Sequence, residues 1–414
     1  MAYESLKLHF YKDGTSSRYQ NVEELLKLRL EAESTFRTSI QTPSGELFLA
    51  VPRELSLLNE KVLRHERKIA TLKQSLPPVA QGAMVRDLVI NEVVSTNELE
   101  GVYSTRRQIN ELMQSDKCAD SEMGVKRFRE LTKLYLGLYD QKPSKPTSLE
   151  DIRSIYDKVM DGEPLKENER PDGKIFRKDK VEIIGRGGKT IHEGLYPESK
   201  IIDAMERMLA IANSEEMPET FSSIVAHFVF EYVHPFYDGN GRTGRYLLAL
   251  YLSSPLSILT SLSLSRVIAE NRDTYYCSFR DAEHQLNHGE LTQFVMNILE
   301  LVMLAQGELD EKMTRKAQLL SAMEKDLDRF KTMHKLGDKE VEVVYMLAQL
   351  KLFATFPEAS QEEVADYIKL SKQQSRVYTK ALEAKGIIGA VNKRPLRFAL
   401  SDEAARELGL ASVS

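Results

Sequence analysis

A buried helical face stops one residue short of a dense polar run, and that junction constrains the chain more than any other feature. Phe221, Ile224, Val225, Phe228, Val229 and Tyr232 follow the i, i+3, i+4, i+7, i+8, i+11 spacing of a helix with one apolar side. Thr220 reads as its N-cap and Val233 as its last residue. The next residue opens His234-Pro-Phe-Tyr-Asp-Gly-Asn-Gly-Arg-Thr-Gly-Arg245, and a second helix is expected after Gly241. The chain must build a tight helix–loop–helix whose loop carries an imidazole, a carboxylate, two glycines flanking an amide, and two arginines.

Each residue type in that run has a chemical use. His234 has an ordinary pKa near 6.5, suited to taking a proton from a hydroxyl at neutral pH. Asp238 is a hard oxygen ligand suited to Mg²⁺ that also touches phosphate. Gly239-Asn240-Gly241 lets successive backbone N–H groups converge on an anion, with the positive end of the following helix behind them. Arg242 and Arg245, three apart, share one side of that helix, and their forked donors match phosphate oxygens. Singly, such a histidine is more often a cap, such a glycine pair a turn and such arginines a solvated face. Their coincidence points to a magnesium polyphosphate with a base beside it.

The length of 414 residues exceeds one ordinary core, so two or three domains are expected. A net charge of −5 supplies no global basic field for nucleic acid. The two cysteines, Cys118 and Cys277, are far apart and suggest a reducing, cytoplasmic setting. The first residues lack the apolar segment of a secretory signal. Tyr246 to Leu264, with its serines and Pro255, reads as two buried segments rather than a membrane span.

Along the chain, helices are expected over 21–33, 54–74, 80–98, 104–114, 121–139, 148–160 and 201–214, with a short extended segment near 46–51. The stretch 163–180 is loop-like. Val181-Glu-Ile-Ile184, a glycine turn and Lys189-Thr-Ile-His192 read as a β-hairpin. Helices resume after Gly241, after about Ser265 and over 291–304, and a charged helical connector follows over 312–333. Residues 339–405 read as helix, helix, helix and a β-type return, with a capping box at Ser360 to Glu363, which is the winged-helix pattern. Its third helix carries Lys372, Arg376 and Lys380 in one basic stripe, with Lys393 and Arg394 near the wing tip. The stripe suits DNA phosphates; the alternatives are a protein contact or a homodimer.

The polar run matches the Fic-family pattern H-P-F-x-(D/E)-G-N-G-R-x-x-R at every defined position, and the resemblance covers roughly residues 85–305. It implies a mainly α fold class: a helical Fic fold with a small β-hairpin flap, here followed by the winged helix. The implied domains are a helical region at 1–84, a Fic core at 85–305 with an inhibitory helix at about 85–101, a connector at 306–338 and the winged helix at 339–414. It implies transfer of AMP from ATP to a Ser, Thr or Tyr hydroxyl of a target protein, in a bacterial cytoplasmic protein. His234 would be the base, Asp238 the Mg²⁺ ligand, Gly239, Asn240 and Gly241 the anion hole, and Arg242 and Arg245 the clamp on the outer phosphates. Tyr276 and Asn287 would line the adenine pocket. The strand Val181, Glu182, Ile183 and Ile184 would be the flap that pairs with an extended target segment.

Thr96-Asn-Glu-Leu-Glu100-Gly101 matches a second family pattern, (S/T)-x-x-x-E-(G/N). The resemblance implies that Glu100 pairs with Arg245 and occupies space needed by the γ-phosphate. Two rivals stand beside this reading. One is an enzyme that removes AMP or transfers another nucleotide. The other is a DNA-binding regulator whose core only senses nucleotide, against which the intact His234 argues, because sensing needs no base.

Overall fold

The computed structural model describes residues 3–114, 127–184, 188, 190–393 and 396–410. Cys118, the first residues of the helix expected at 121–139, Gly185 to Gly187, Lys189 and Arg394 lie outside the described residues, and for Lys393 the backbone alone is described. The chain divides into two compact units, Met1–Arg67 with Val89–Gly307, and Lys68–Leu88 with Glu308–Ser414.

The first unit begins with α1 (Leu6–Lys12), α2 (Arg18–Glu31) and the hairpin β1 (Thr35–Thr42) and β2 (Gly45–Ala50). Only the second of these strands is legible in the sequence. β2 is buried along Leu47, Phe48, Leu49 and Ala50, whereas β1 buries just Thr38 and Ile40 and carries a register shift between Arg37 and Gln41. That irregularity erases the period-two signal. Next come α3 (Arg53–Ser75), α4 (Pro78–Leu99), α5 (Arg106–Gln114), α6 (Arg129–Asp140) and α7 (Leu149–Val159). Leu55, Val62 and Ile69 form the buried stripe of α3. Ser148 caps α7 in a full capping box with Asp151.

The hairpin β3 (Glu182–Ile184) and β4 (Thr190–Glu193) follows, then α8 (Glu198–Ala212), α9 (Glu219–Val233), α10 (Asn240–Leu252), α11 (Ile258–Ser261), α12 (Leu264–Glu270) and α13 (Arg272–Ala282). α9 packs on α8 and α10. It is buried on every side rather than along one face, because Ser222, Ser223 and Ala226 on the remaining sides are small enough for neighbours to close over them. Thr220 does not cap this helix. The N-cap is Pro218, and the buried Thr220 hydroxyl donates to Asn59 Oδ1 at 2.7 Å.

α14 (Thr292–Met333) is one uninterrupted helix of 42 residues where the sequence suggested a helix and then a connector. In the second unit, α15 (Asp338–Phe353), α16 (Gln361–Tyr367) and α17 (Lys372–Ala384) accompany a three-stranded sheet and α18 (Asp402–Glu407). The strands are β5 (Ala359–Ser360), β6 (Ile388–Lys393) and β7 (Leu396–Leu400), in the order β5-β7-β6, all antiparallel. Ser360 and Ser371 form capping boxes with Glu363 and Gln374. Lys372, Arg376 and Lys380 are all exposed on α17, and Lys372 lies 3.3 Å from Glu362. Among the described residues no helix is long and apolar enough to cross a membrane.

Because Ile224 is fully buried at the centre of α9, Ile224→Ala should lower unfolding free energy by about 2–5 kcal/mol. Urea unfolding followed by circular dichroism checks this, and a loss under about 1 kcal/mol would mean that α9 is not a core helix.

Candidate functional site

The site is built at the C-terminal turn of α9. His234 takes a left-handed conformation (φ 51°, ψ 62°) as its N–H donates to Phe230 O at 3.0 Å. That breaks the helix and turns the imidazole onto the helix end. Its Nδ1 lies 3.3 Å from Glu231 O. A carbonyl only accepts, so Nδ1 carries the proton and Nε2 keeps its lone pair. Burial and the neighbouring His192, its ring centroid 6.1 Å away, hold the His234 pKa down at about 4. The imidazole is therefore neutral at pH 7, which is the form a base requires.

The last carbonyls of a helix have no intrahelical partner. Here the side chains of Arg177 and His192 cover them. Arg177 is completely buried; its Nε donates to His234 O (2.8 Å) and its Nη2 to Val233 O (3.2 Å) and Leu195 O (2.8 Å). His192 Nε2 donates to Tyr232 O at 2.9 Å. Positive charge at a helix C-terminus is favourable. Neither residue was legible as part of the site, since 57 and 42 positions separate them from His234 and no spacing marks them.

The loop is held from within. Asn240 Nδ2 donates to Phe236 O (2.7 Å), and Phe236 N donates to Asn240 Oδ1 (2.9 Å). The Asn240 side chain thus closes the loop, and what it offers an anion is its backbone N–H. Phe236 is buried, stacked on Tyr156 at 3.6 Å. Gly239 has φ +80°, and a Cβ there would meet Met160 Sδ at 2.3 Å, so only glycine fits. Asp238 is exposed, with its Oδ1 accepting the Gly239 N–H at 2.6 Å. Among the described residues no three His, Cys, Asp or Glu side chains form a metal cage. One exposed carboxylate at a helix N-terminus suits Mg²⁺, which keeps waters and takes its other ligands from phosphates.

Both arginines are paired with carboxylates, Arg245 with Glu100 as the resemblance implies and Arg242 with Glu163, which the sequence did not indicate. Arg242 is buried and donates to Glu163 Oε1 at 2.6 Å, while the other Glu163 oxygen lies 2.8 Å from Arg127. Arg245 is buried, donating Nε to Thr96 Oγ1 (2.8 Å) and Nη2 to Thr96 O (3.0 Å) and Glu100 Oε1 (2.6 Å). Thr96 and Glu100 are four apart and so share one helix face. Gly101, at φ +70°, ends the helix there: its N–H donates to Glu98 O and Val102 N–H to Asn97 O. A Cβ on Gly241 would lie 2.1 Å from Glu100 Oε1. The Glu100 carboxylate therefore lies in the concavity of the glycine loop. Burial works to raise its pKa, but Arg245 outweighs that and holds it below the usual carboxylate range.

Beneath the loop is a second carboxyl that the sequence gave no reason to expect. Glu231 Oε1 would be 2.1 Å from a Cβ on Gly244, and it is buried without a hydrogen-bond partner. Burial pushes its pKa up to about 7. Tyr276 is half-buried, and the Arg272 guanidinium over its ring also donates to Leu99 O at the end of α4. Asn287 is engaged elsewhere: its Oδ1 accepts the Lys7 N–H (2.9 Å) and its Nδ2 donates to Asp281 O. Both polar atoms of its amide are thus bonded to backbone, which ties up the amide that the resemblance assigns to adenine. Val181 is half-buried and its carbonyl accepts the Gly194 N–H, while Glu182, Ile183 and Ile184 are exposed along β3.

His227, also fully buried, lies 3.1 Å (Nδ1) from Gly244 O and 2.8 Å (Nε2) from Tyr275 Oη. Burial, with Arg245, lowers its pKa to about 3. The folded chain releases a proton that the unfolded chain keeps up to pH ~6.5, so this histidine's contribution is complete above ~6.5 and falls as pH drops toward 3. Glu92 and Glu231, both raised by burial to about 7, run the opposite way. The stability gap between wild type and His227→Gln isolates the histidine, and it should shrink between pH 7.5 and 5 in urea melts. A gap that is constant with pH would contradict the neutral, buried imidazole.

Residues 146–252 match the model of the Fic/DOC family. A 73-residue stretch is 38% identical to a probable protein adenylyltransferase of Aquifex aeolicus, covering 18% of this chain and 21% of that protein. The match thus spans about a fifth of that relative's length. A Fic family protein from Desulfovibrio desulfuricans aligns over 82% of this chain and 95% of its own, at 18% identity and a TM-score of 0.49. Fic-1 from C. elegans (residues 134–508) aligns over 73% and 79%, at 20% identity and a TM-score of 0.46. The polar loop, His234 to Arg245, lies inside the stretch that matches the Fic/DOC family model.

Proposed function

We propose that this chain transfers AMP from ATP to a hydroxyl of a target protein and is held inactive by its own Glu100. The observation that carries the reading is the Glu100 carboxylate, 2.6 Å from Arg245 and seated against Gly241. An anion already lies where the loop N–H groups and a buried guanidinium converge, so the loop is a built anion site. ATP and this carboxylate compete for it.

With Glu100 withdrawn, Arg245 would bind the outer phosphates, and the N–H groups at the start of α10 would face the α-phosphate. Asp238 would hold Mg²⁺, which supplies charge neutralisation on the phosphates. A target Ser, Thr or Tyr oxygen then attacks the α-phosphorus. The new P–O bond forms as the bond to the bridging oxygen breaks, pyrophosphate leaves, and the hydroxyl proton passes to His234 Nε2. Arg242 contributes only by exchanging Glu163 for phosphate. The exposed Ile183 and Ile184 on β3 give a target a strand edge and side chains to pair with, which would place its hydroxyl.

Removing one member of a buried ion pair typically costs about 3–5 kcal/mol, so Glu100 stays on Arg245 unless phosphate replaces it. Glu100→Gly should raise labelling from α-labelled ATP about 5- to 150-fold, and His234→Ala on that background should abolish it. Unchanged labelling in Glu100→Gly would remove the brake. AMP removal is the second reading, favoured by a carboxylate beside the loop that can orient water. It predicts that wild type strips AMP from pre-labelled protein and that Glu100→Gly does not.

For the second unit we propose a winged helix, supported by three helices followed by an antiparallel hairpin with α17 exposing Lys372, Arg376 and Lys380. If that face meets DNA, charge reversal at Arg376 and Lys380 should abolish a salt-sensitive mobility shift of a duplex. An equal shift by the variant would exclude it.

A further inference from the structure

His192 is not part of the polar loop, yet its geometry ties it to the base. On β4 it stands opposite Ile183 of β3. Its Nε2 faces Tyr232 O at 2.9 Å and its Nδ1 faces Glu283 Oε2 at 2.8 Å, with the ring almost wholly buried. A carbonyl accepts only, and so does an ionised carboxylate. Both ring nitrogens must then carry protons, which makes the ring an imidazolium. Its centroid is 6.1 Å from that of His234.

We propose that His192 is a positioning residue for His234: as a cation held between Glu283 and the end of α9, it fastens the flap hairpin to the catalytic turn and keeps the neighbouring imidazole unprotonated. The inference rests on the reading of His234 as the base. Every element around the ring fits it. From α9 come the Tyr232 carbonyl and ring and the Glu231 carboxyl, and from the end of α13 comes Glu283. Arg177 bears on His234 from the same side of the charge balance, and Glu100 opposes it. On the hairpin itself Glu193 is already paired with Lys180. Burial pulls the His192 pKa down, but Glu283 and the Tyr232 carbonyl outweigh that and raise it. A target strand that docks on the hairpin would thereby be registered against the base through one side chain.

The test is a histidine-ring NMR titration of the full chain, wild type against His192→Gln, His192→Lys and Glu283→Gln. In wild type the His192 midpoint should lie above that of an ordinary imidazole. In His192→Gln and Glu283→Gln the His234 midpoint should rise by about half a pH unit or more, the effect of a unit charge near 6 Å even in a water-like dielectric. His192→Lys, which keeps a cation, should restore much of the depression. An unmoved His234 midpoint in both Gln variants, or a wild-type His192 that is neutral at pH 7, overturns the proposal. Because ring titration needs no turnover, this outcome is distinct from failure of the adenylyltransferase reading. On the Glu100→Gly background, the acid limb of transfer should move up in pH with the His234 midpoint, whereas a flap that is merely loosened would lower kcat/KM equally at every pH.

Discussion

Four backbone carbonyls at the end of α9 decide where chemistry can occur. A helix leaves its last carbonyls unpaired, and burying them without donors is costly. In this protein His234, His192 and Arg177 supply the donors to the oxygens of residues 231 to 234. Satisfying the helix end therefore also fixes the tautomer of His234, ties the β3–β4 hairpin to α9 and places Arg177 and His192 beside the His234 imidazole. The loop that follows can stay short because Asn240 closes it onto Phe236 and Phe236 is clamped by Tyr156.

The opposing face of the loop is governed by Arg245. It is buried and donates three hydrogen bonds to the end of α4. Two of these go to Thr96 and leave room for a bound phosphate; the third goes to Glu100, whose carboxylate would compete with one. The Thr96 contacts keep the guanidinium aimed into the loop whichever anion occupies it. Thr96 and Glu100, four residues apart, thus bind the same guanidinium, and in the proposed reading one holds the arginine while the other blocks it. The Glu163 carboxylate plays a similar part for Arg242, so the loop carries no uncompensated arginine among the described side chains.

Much of this was legible in the sequence where the signal was local. The apolar spacing of α9, the glycines of the loop, the capping box at Ser360 and the pairing of Glu100 with Arg245 follow from neighbours in sequence or from a specific resemblance. What escaped was long-range. Arg177, His192 and Glu163 come from loops and a short strand whose residues are unremarkable alone, and they act only once the fold brings them to α9 and α10. β1 was lost because a bulge breaks its alternation. The hydrogen bond from the Lys7 N–H to the Asn287 amide was equally illegible, because 280 positions separate the two residues. Thr220 looked like a cap because its type suits one, yet its hydroxyl is taken by a half-buried partner, Asn59.

A crystal of the Glu100→Gly chain soaked with ATP and Mg²⁺ tests the central claim most directly. The account predicts triphosphate on the loop, with its outer phosphates on Arg245, its α-phosphate over the N–H groups of Asn240 and Gly241, and His234 Nε2 facing the open side of that phosphorus. An empty loop with Arg245 still held by Thr96, or a nucleotide bound away from His234, would contradict it.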